Sequence, residues 1–241
     1  MNFYRYLWIF ILIINYSIYS QSIDSNFTLV IDPGHGGKDP GNTGNGYLEK
    51  KIALSIGLKI GERLKKYKNI SVIYTRKTDV FVDLYRRAKI ANDVQADLFI
   101  SIHCDAHTSN AYGAGTFVLG LHANERNFKI AQKENSVIFL EDDYQQKYEG
   151  FDPNNPESVI SLVLMQEDYL DKSIVAANFI QKSFVNRLKR RDRTVKQAGF
   201  LVLRNTFMPS VLVETGFLTN KSEGSYLNSN KGQNEMADAI S

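Results

Sequence analysis

The sequence predicts an α/β protein: a single domain on a mostly parallel or mixed central sheet of about six strands, flanked by helices and carrying a helical insertion. Three observations predict it. Short β-prone apolar runs alternate with helical patterns along most of the chain. Its 241 residues suffice for one domain with a substantial core. No internal repeat or low-complexity tract interrupts the pattern.

Taken in order, Arg5 precedes the apolar run Leu7-Trp8-Ile9-Phe10-Ile11-Leu12-Ile13-Ile14. That run is too short for a stable membrane span, which needs about 20 residues. Small and polar residues follow, with a cleavage point after Ser20, so residues 1–20 read as a signal peptide and 26–241 as the folded domain. An uncleaved anchor is the alternative; no cysteine lies nearby to carry a lipid. The first strand, Phe27 to Ile31, runs into Pro33-Gly34. The turn-rich Gly41-Asn42-Thr43-Gly44-Asn45-Gly46 leads to a helix over Lys50 to Lys66, with Ile52, Ile56, Ile60 and Leu64 on one side. A strand at Ile70 to Thr75, a helix at Leu84 to Asn92, and strands at Leu98 to His103 and Gly115 to Leu119 come next.

Between Leu119 and Phe200 lie about 80 residues where one crossover helix would do. Ile174 to Leu188 supplies that helix, which leaves residues 124–165 as surplus. The surplus is not linker-like, since Val137-Ile138-Phe139-Leu140 is apolar and Glu141-Asp142-Asp143 acidic. Strands are expected again at Phe200 to Leu203 and Ser210 to Glu214. The final stretch, Asn234 to Ile240, has a helical pattern without a stop signal, and truncation there is one reading of it.

The balance of 29 Lys and Arg against 26 Asp and Glu gives a formal net charge of +3. The basic run Arg187-Leu188-Lys189-Arg190-Arg191-Asp192-Arg193 reads as a solvated helix face, and nucleic acid is not an expected partner. Cys104 is the only cysteine, so an internal disulfide is excluded. It adjoins His103 on a strand and therefore points to the opposite face, as buried packing and not as a metal ligand. His107 and His122 also read as non-ligands.

Four residues remain: His35 in Asp32-Pro33-Gly34-His35-Gly36-Gly37, Glu49, His103 in Ser101-Ile102-His103, and Glu214 in Val213-Glu214-Thr215-Gly216-Phe217. Two imidazoles and one carboxylate suit Zn²⁺ and leave a fourth position open, while the second carboxylate is free to act as a base. Singly, each has an ordinary reading. A histidine at a strand end usually satisfies hydrogen bonds, and Glu49 at a helix start is favoured by the macrodipole. Glu214 is harder to explain so, because a carboxylate after Val211-Leu212-Val213 is partly desolvated and needs a partner.

In order and framing, these motifs, with Val213 to Asn220 and the Thr75-Arg76 to Asn92 stretch, resemble the zinc-dependent N-acetylmuramoyl-L-alanine amidases of bacterial cell-wall turnover over Leu29 to Leu227. The resemblance implies that His35, Glu49 and His103 hold one Zn²⁺ and that Glu214 is the catalytic carboxylate. It implies hydrolysis of the amide between the lactyl group of N-acetylmuramic acid and L-alanine in peptidoglycan, by an exported, more periplasmic than extracellular, protein. Some relatives carry an insertion that covers the zinc until a partner moves it. Residues 124–165 are accordingly the expected regulatory insertion, with Glu141 or a neighbour reaching the metal and an activator protein acting on it. Thr194 stands where relatives often have glycine. Another zinc peptidase of the wall and a non-catalytic wall-binding scaffold remain as alternative readings.

Overall fold

The computed structural model describes residues 26–121, 124–160 and 167–241. The expected signal peptide, His122 and the end of the expected insertion lie outside the described residues. The strands are Phe27–Pro33 (β1), the short pair Thr43–Gly44 (β2) and Tyr47–Leu48 (β3), Ile70–Tyr74 (β4), Leu98–Asp105 (β5), Ala114–Leu119 (β6), Asp192–Ala198 (β7) and Ser210–Phe217 (β8). Six form a mixed sheet in the order β4-β1-β5-β8-β6-β7, and β2 pairs with β3 in a hairpin.

Strands β4, β1, β5 and β8 are mutually parallel, whereas β6 runs antiparallel to β8 and carries β7 parallel to itself. The carboxyl ends of the first four and the amino ends of the last two therefore share one edge. β5 and β8 are buried almost throughout, and being covered on both faces explains why they read as continuous apolar runs without alternation.

Helices cover both faces. Glu49–Leu64 (α1) buries the stripe Ile52, Ile56, Ile60 and Leu64, with Phe184 and Met236 in the same core. On the other face Leu84, Ala91, Phe117, Phe200 and Leu212 form a second core, which includes Ala131, Ile138, Tyr148 and Phe151 of the insertion. Leu84–Asp93 (α2), Glu125–Asn135 (α3), Tyr144–Lys147 (α4) and Leu201–Arg204 (α6) belong to this side, and Glu167–Asn186 (α5), Lys221–Asn228 (α7) and Asn230–Ile240 (α8) complete the order. Among the described residues no helix is long and apolar enough to cross a membrane.

Two expectations are corrected. Phe200 to Leu203 is not a strand but leads into the single helical turn α6, its apolar side chains filling the second core. The strand is β7, within the polar stretch before it. The basic run is not a helix face either, because α5 ends at Asn186 and Arg193 lies in β7. Thr194 has φ +64°, a left-handed conformation costly for a β-branched residue, and its N–H donates to Asp192. The register shifts there, with residues 193 and 194 facing Gly115 alone, which is a β-bulge.

The loop after β1 is held by two buried arginines. Arg87 donates to Asp32 at 2.7 Å and to the carbonyls of Pro33 and His35 at 2.9 and 2.8 Å. Arg76 donates to the carbonyls of Pro33 and Gly34 at 2.8 and 2.7 Å. Burial would raise the Asp32 pKa, but Arg87 and the Thr75 and Ser101 hydroxyls outweigh it and lower it. Arg87→Met leaves that carboxylate buried and unpaired, and should cost about 3–5 kcal/mol, read as a fall in the urea midpoint. A loss below about 1 kcal/mol would mean that Asp32 is not held charged.

Candidate metal centre

Strand geometry delivers the donors to the shared edge. His35 follows β1 in a left-handed conformation, φ +59°. Its Nδ1 lies 2.7 Å from Asp39 Oδ2, which fixes that nitrogen as the donor and turns Nε2 inward. His103, near the end of β5, presents Nδ1, while its Nε2 lies 3.0 Å from the Ser101 hydroxyl, which in turn donates to Asp32 at 2.7 Å. Each ring is thus oriented through the nitrogen that faces away from the site.

Glu49 is the first residue of α1, brought round by the β2–β3 hairpin, whose Asn45 side chain donates to the Leu218 carbonyl. Its carboxylate accepts the backbone N–H groups of Asn42 and Cys104 at 2.7 and 2.8 Å. The oxygens lie 3.2 Å from His35 Nε2 and 3.0 Å from His103 Nδ1. Close approach here requires glycine. A Cβ on Gly34 would sit 2.5 Å from the His103 ring, and one on Gly41, at φ +66°, 2.6 Å from His35 and 2.7 Å from Glu49.

Sequence reasoning missed the fourth member. Glu134, from α3 in the insertion, puts Oε2 at 3.0 Å from His35 Nε2 and 3.1 Å from His103 Nδ1. Ligand atoms of His35, Glu49, His103 and Glu134 all lie within 4.8 Å of one another, and all four residues are buried. Glu141, expected to reach the metal, is not in this group. Its carboxylate accepts the Leu84 N–H at 2.8 Å and the Tyr148 hydroxyl, so it caps α2. The signal for Glu134 was present in outline: Asn127, Ala131, Glu134 and Asn135 make one buried helical stripe with a carboxylate on it.

The group fits a cation. Among the described residues His35 Nε2 and Glu134 Oε2 are buried without a hydrogen-bond partner, and two nitrogens with two carboxylates form a borderline-soft donor set suited to a divalent transition metal. The mutual field is strong. Burial alone would lower the His103 pKa, but the Glu134 and Glu49 carboxylates raise it to about 9. Burial likewise opposes the ionised form of Glu134, as does Glu49, and the histidines still bring its pKa down to about 2.

Glu214 stands opposite His103 in the β5–β8 register. Both its oxygens are buried and, among the described residues, have no hydrogen-bond partner. Burial, and then the charges of Asp105, Glu134 and Glu49, raise its pKa well above the usual carboxylate range. Cys104 packs in the core on the other face, its Sγ 3.2 Å from the Thr215 hydroxyl, and His107 is exposed with its Nδ1 accepting from Ser109. The edge thus offers a cation site with an uncommitted acid–base group beside it.

Comparison with known proteins gives a consistent picture. Residues 29–241 match the family model described as N-acetylmuramoyl-L-alanine amidase (Amidase_3). The chain is 35% identical over 225 residues to the N-acetylmuramoyl-L-alanine amidase AmiA of Salmonella typhimurium, covering 92% of this chain and 76% of that one. It is 35% identical over 216 residues to AmiA of Escherichia coli, covering 88% and 73%. The crystal structure of an N-acetylmuramoyl-L-alanine amidase from Clostridium difficile 630 superposes with a TM-score of 0.68 at 29% identity, covering 90% and 93%.

Proposed function

The chain belongs to the N-acetylmuramoyl-L-alanine amidase family, and from that premise we propose a zinc-dependent hydrolase that His35, Glu49 and His103 arm with one ion and that Glu134 holds shut. Its amidase activity acts on peptidoglycan, and the bond assigned is that between the lactyl group of N-acetylmuramic acid and L-alanine. The observation that carries the reading is the meeting of three donors from β1, α1 and β5 beside a buried, unpartnered Glu214.

Zinc held by His35, Glu49 and His103 would supply a Lewis acid to polarise the scissile carbonyl and to make the attacking water more acidic. The chain does the rest. Asp39 and Ser101 hold the rings so that His35 Nε2 and His103 Nδ1 stay directed inward. Glu214 takes the proton of the attacking water and returns it to the nitrogen of the departing L-alanine. Its raised pKa suits a group that spends part of the cycle protonated. Glu134 lies against both histidines, within the group of donors that would hold the ion, so α3 would have to move before a substrate carbonyl or a water could take its place, and a partner protein acting on the insertion is the expected mover. The signal peptide assigned to residues 1–20 places the chain outside the cytoplasm, in a periplasm more readily than free in the medium.

Mass spectrometry of purified peptidoglycan digested with the mature chain, wild type beside the opened variant Glu134→Gln, tests this. Free stem peptides beginning with L-alanine are expected, and a chelator should abolish them, with zinc restoring them. Cuts within the peptide would replace the reading with a zinc peptidase.

A further inference from the structure

A cavity of about 260 Å³ has Glu214 in its wall but neither of the clustered histidines. It lies at the amino ends of β6 and β7 beneath the first turns of α3. Four cations line it, Arg126, Arg191, Arg193 and Lys196, against the carboxylates of Asp105, Asp192 and Glu214. None of those carboxylates is within ion-pairing distance of the cations, and two of them have other hydrogen-bond partners. Asp192 accepts from Gln181 and the Thr194 N–H, and Asp105 accepts the Ala106 N–H. Among the described residues none of the four cations has an ion-pair partner, whereas the neighbouring Arg190 pairs with Glu223 at 2.7 Å.

The cations are nevertheless held in place. Lys196 Nζ lies 4.8 Å from the centre of the Phe117 ring and the Arg193 guanidinium 4.9 Å from that of Phe217. Ring contacts of this kind fix a cation without cancelling its charge. Among the described residues Arg193 Nε is buried with no hydrogen-bond partner, a donor left unsatisfied at a cost. The bulge at Thr194 sets Arg193 and Lys196 around Gly115, whose ideal Cβ would meet Arg193 Cβ at 3.0 Å and Lys196 Nζ at 3.2 Å. Gly115 is also the register partner of Glu214, so the absent side chain opens the cavity towards the catalytic carboxylate. Burial, and then the crowding of Arg126 and Arg193, lower the Lys196 pKa to about 8, and the charges of Glu214 and Asp105 offset this only in part.

We propose that this cavity is the subsite for a carboxylate of the departing peptide, with Arg193 and Lys196 as its anchors, and that it selects stem peptides whose second residue carries a free acid. The inference rests on the assigned reaction. Glu214 hands its proton to the nitrogen of L-alanine, and the next residue begins one step further along, about 3.3–3.6 Å per extended residue. A carboxylate there falls beside Glu214, where the cavity begins. Arg126 travels with α3 and Glu134, while Arg193 and Lys196 belong to the sheet and remain when the helix moves.

The test is competition in one tube between two muramoyl-peptide fragments, identical except that the second residue bears a free carboxylate or its primary amide. The product ratio reads relative kcat/KM whatever fraction of the enzyme is active. The wild-type chain should prefer the acid by about tenfold or more, and Arg193→Gln and Lys196→Gln should each bring the ratio towards one, with Arg193→Lys restoring part of it. A wild-type ratio near one, or a preference that survives both substitutions, overturns the subsite. If neither fragment is cut at the lactyl–alanine bond, even with Glu134→Gln, the reaction assignment fails instead. Equilibrium binding of the free stem peptide in its acid and amide forms then decides the subsite alone: tighter binding of the acid sustains it, and equal binding ends it.

Discussion

Glu214→Gln is expected to lower kcat for peptidoglycan hydrolysis by about 10²- to 10⁴-fold while leaving zinc content unchanged. Glutamine keeps the shape and removes only the ability to accept and return a proton. The wild-type oxygens have no hydrogen-bond partner among the described residues, so none of the described bonds is broken by the change. Stability should not fall. A carboxyl whose pKa is raised in the fold penalises the folded state once pH exceeds its unfolded value, increasingly until the raised pKa is passed. The variant escapes that penalty, and its thermal midpoint at pH 8 should equal or exceed that of the wild type. An inactive variant that melts several degrees lower would assign Glu214 a structural role instead.

Glu134→Gln should act in the other direction and raise the basal rate of the full chain by about tenfold or more, equivalent to about 1.4 kcal/mol of closed-state preference removed. The amide is a poorer donor to a cation and carries no charge to attract His35 and His103, which lie within 3.1 Å of the carboxylate oxygen. Dye release from labelled peptidoglycan, with zinc measured on the same sample, separates the outcomes. An unchanged rate at full zinc occupancy would mean that another contact keeps the site closed. Loss of zinc would make Glu134 a supporting ligand and not a block.

Much of this site was legible because three of its members sit where the local chain announces a change of direction. His35, His103 and Glu214 each lie at the end of an apolar strand, and strands buried on both faces are the most visible elements in a sequence. Glu134 had no such frame. It reaches across from a helix full of polar residues, and only its place on the stripe with Ala131 marked it. The acidic cluster at Glu141 was more conspicuous, yet that carboxylate serves the backbone of α2. β7 escaped notice because an edge strand with one wet face admits Asp, Arg, Thr, Lys and Gln. The apolar Phe200-Leu201-Val202-Leu203 is too short for periodicity to tell strand from helix.

The described part of the insertion is two things joined end to end. The described stretch that follows α3 is masonry: Ile138 is wholly buried, Tyr148 nearly so, Glu141 caps α2, and α2 carries the Arg87 that grips the His35 carbonyl. Excising residues 124–165 would therefore demolish a wall of the room whose door it was meant to open, exposing side chains worth about 1.5–3 kcal/mol each. A silent deletion mutant would say nothing about a gate. On the proposed reading an opener acts on the eleven-residue α3, and to do so it must also lift Ala131 out of the core that this masonry shares.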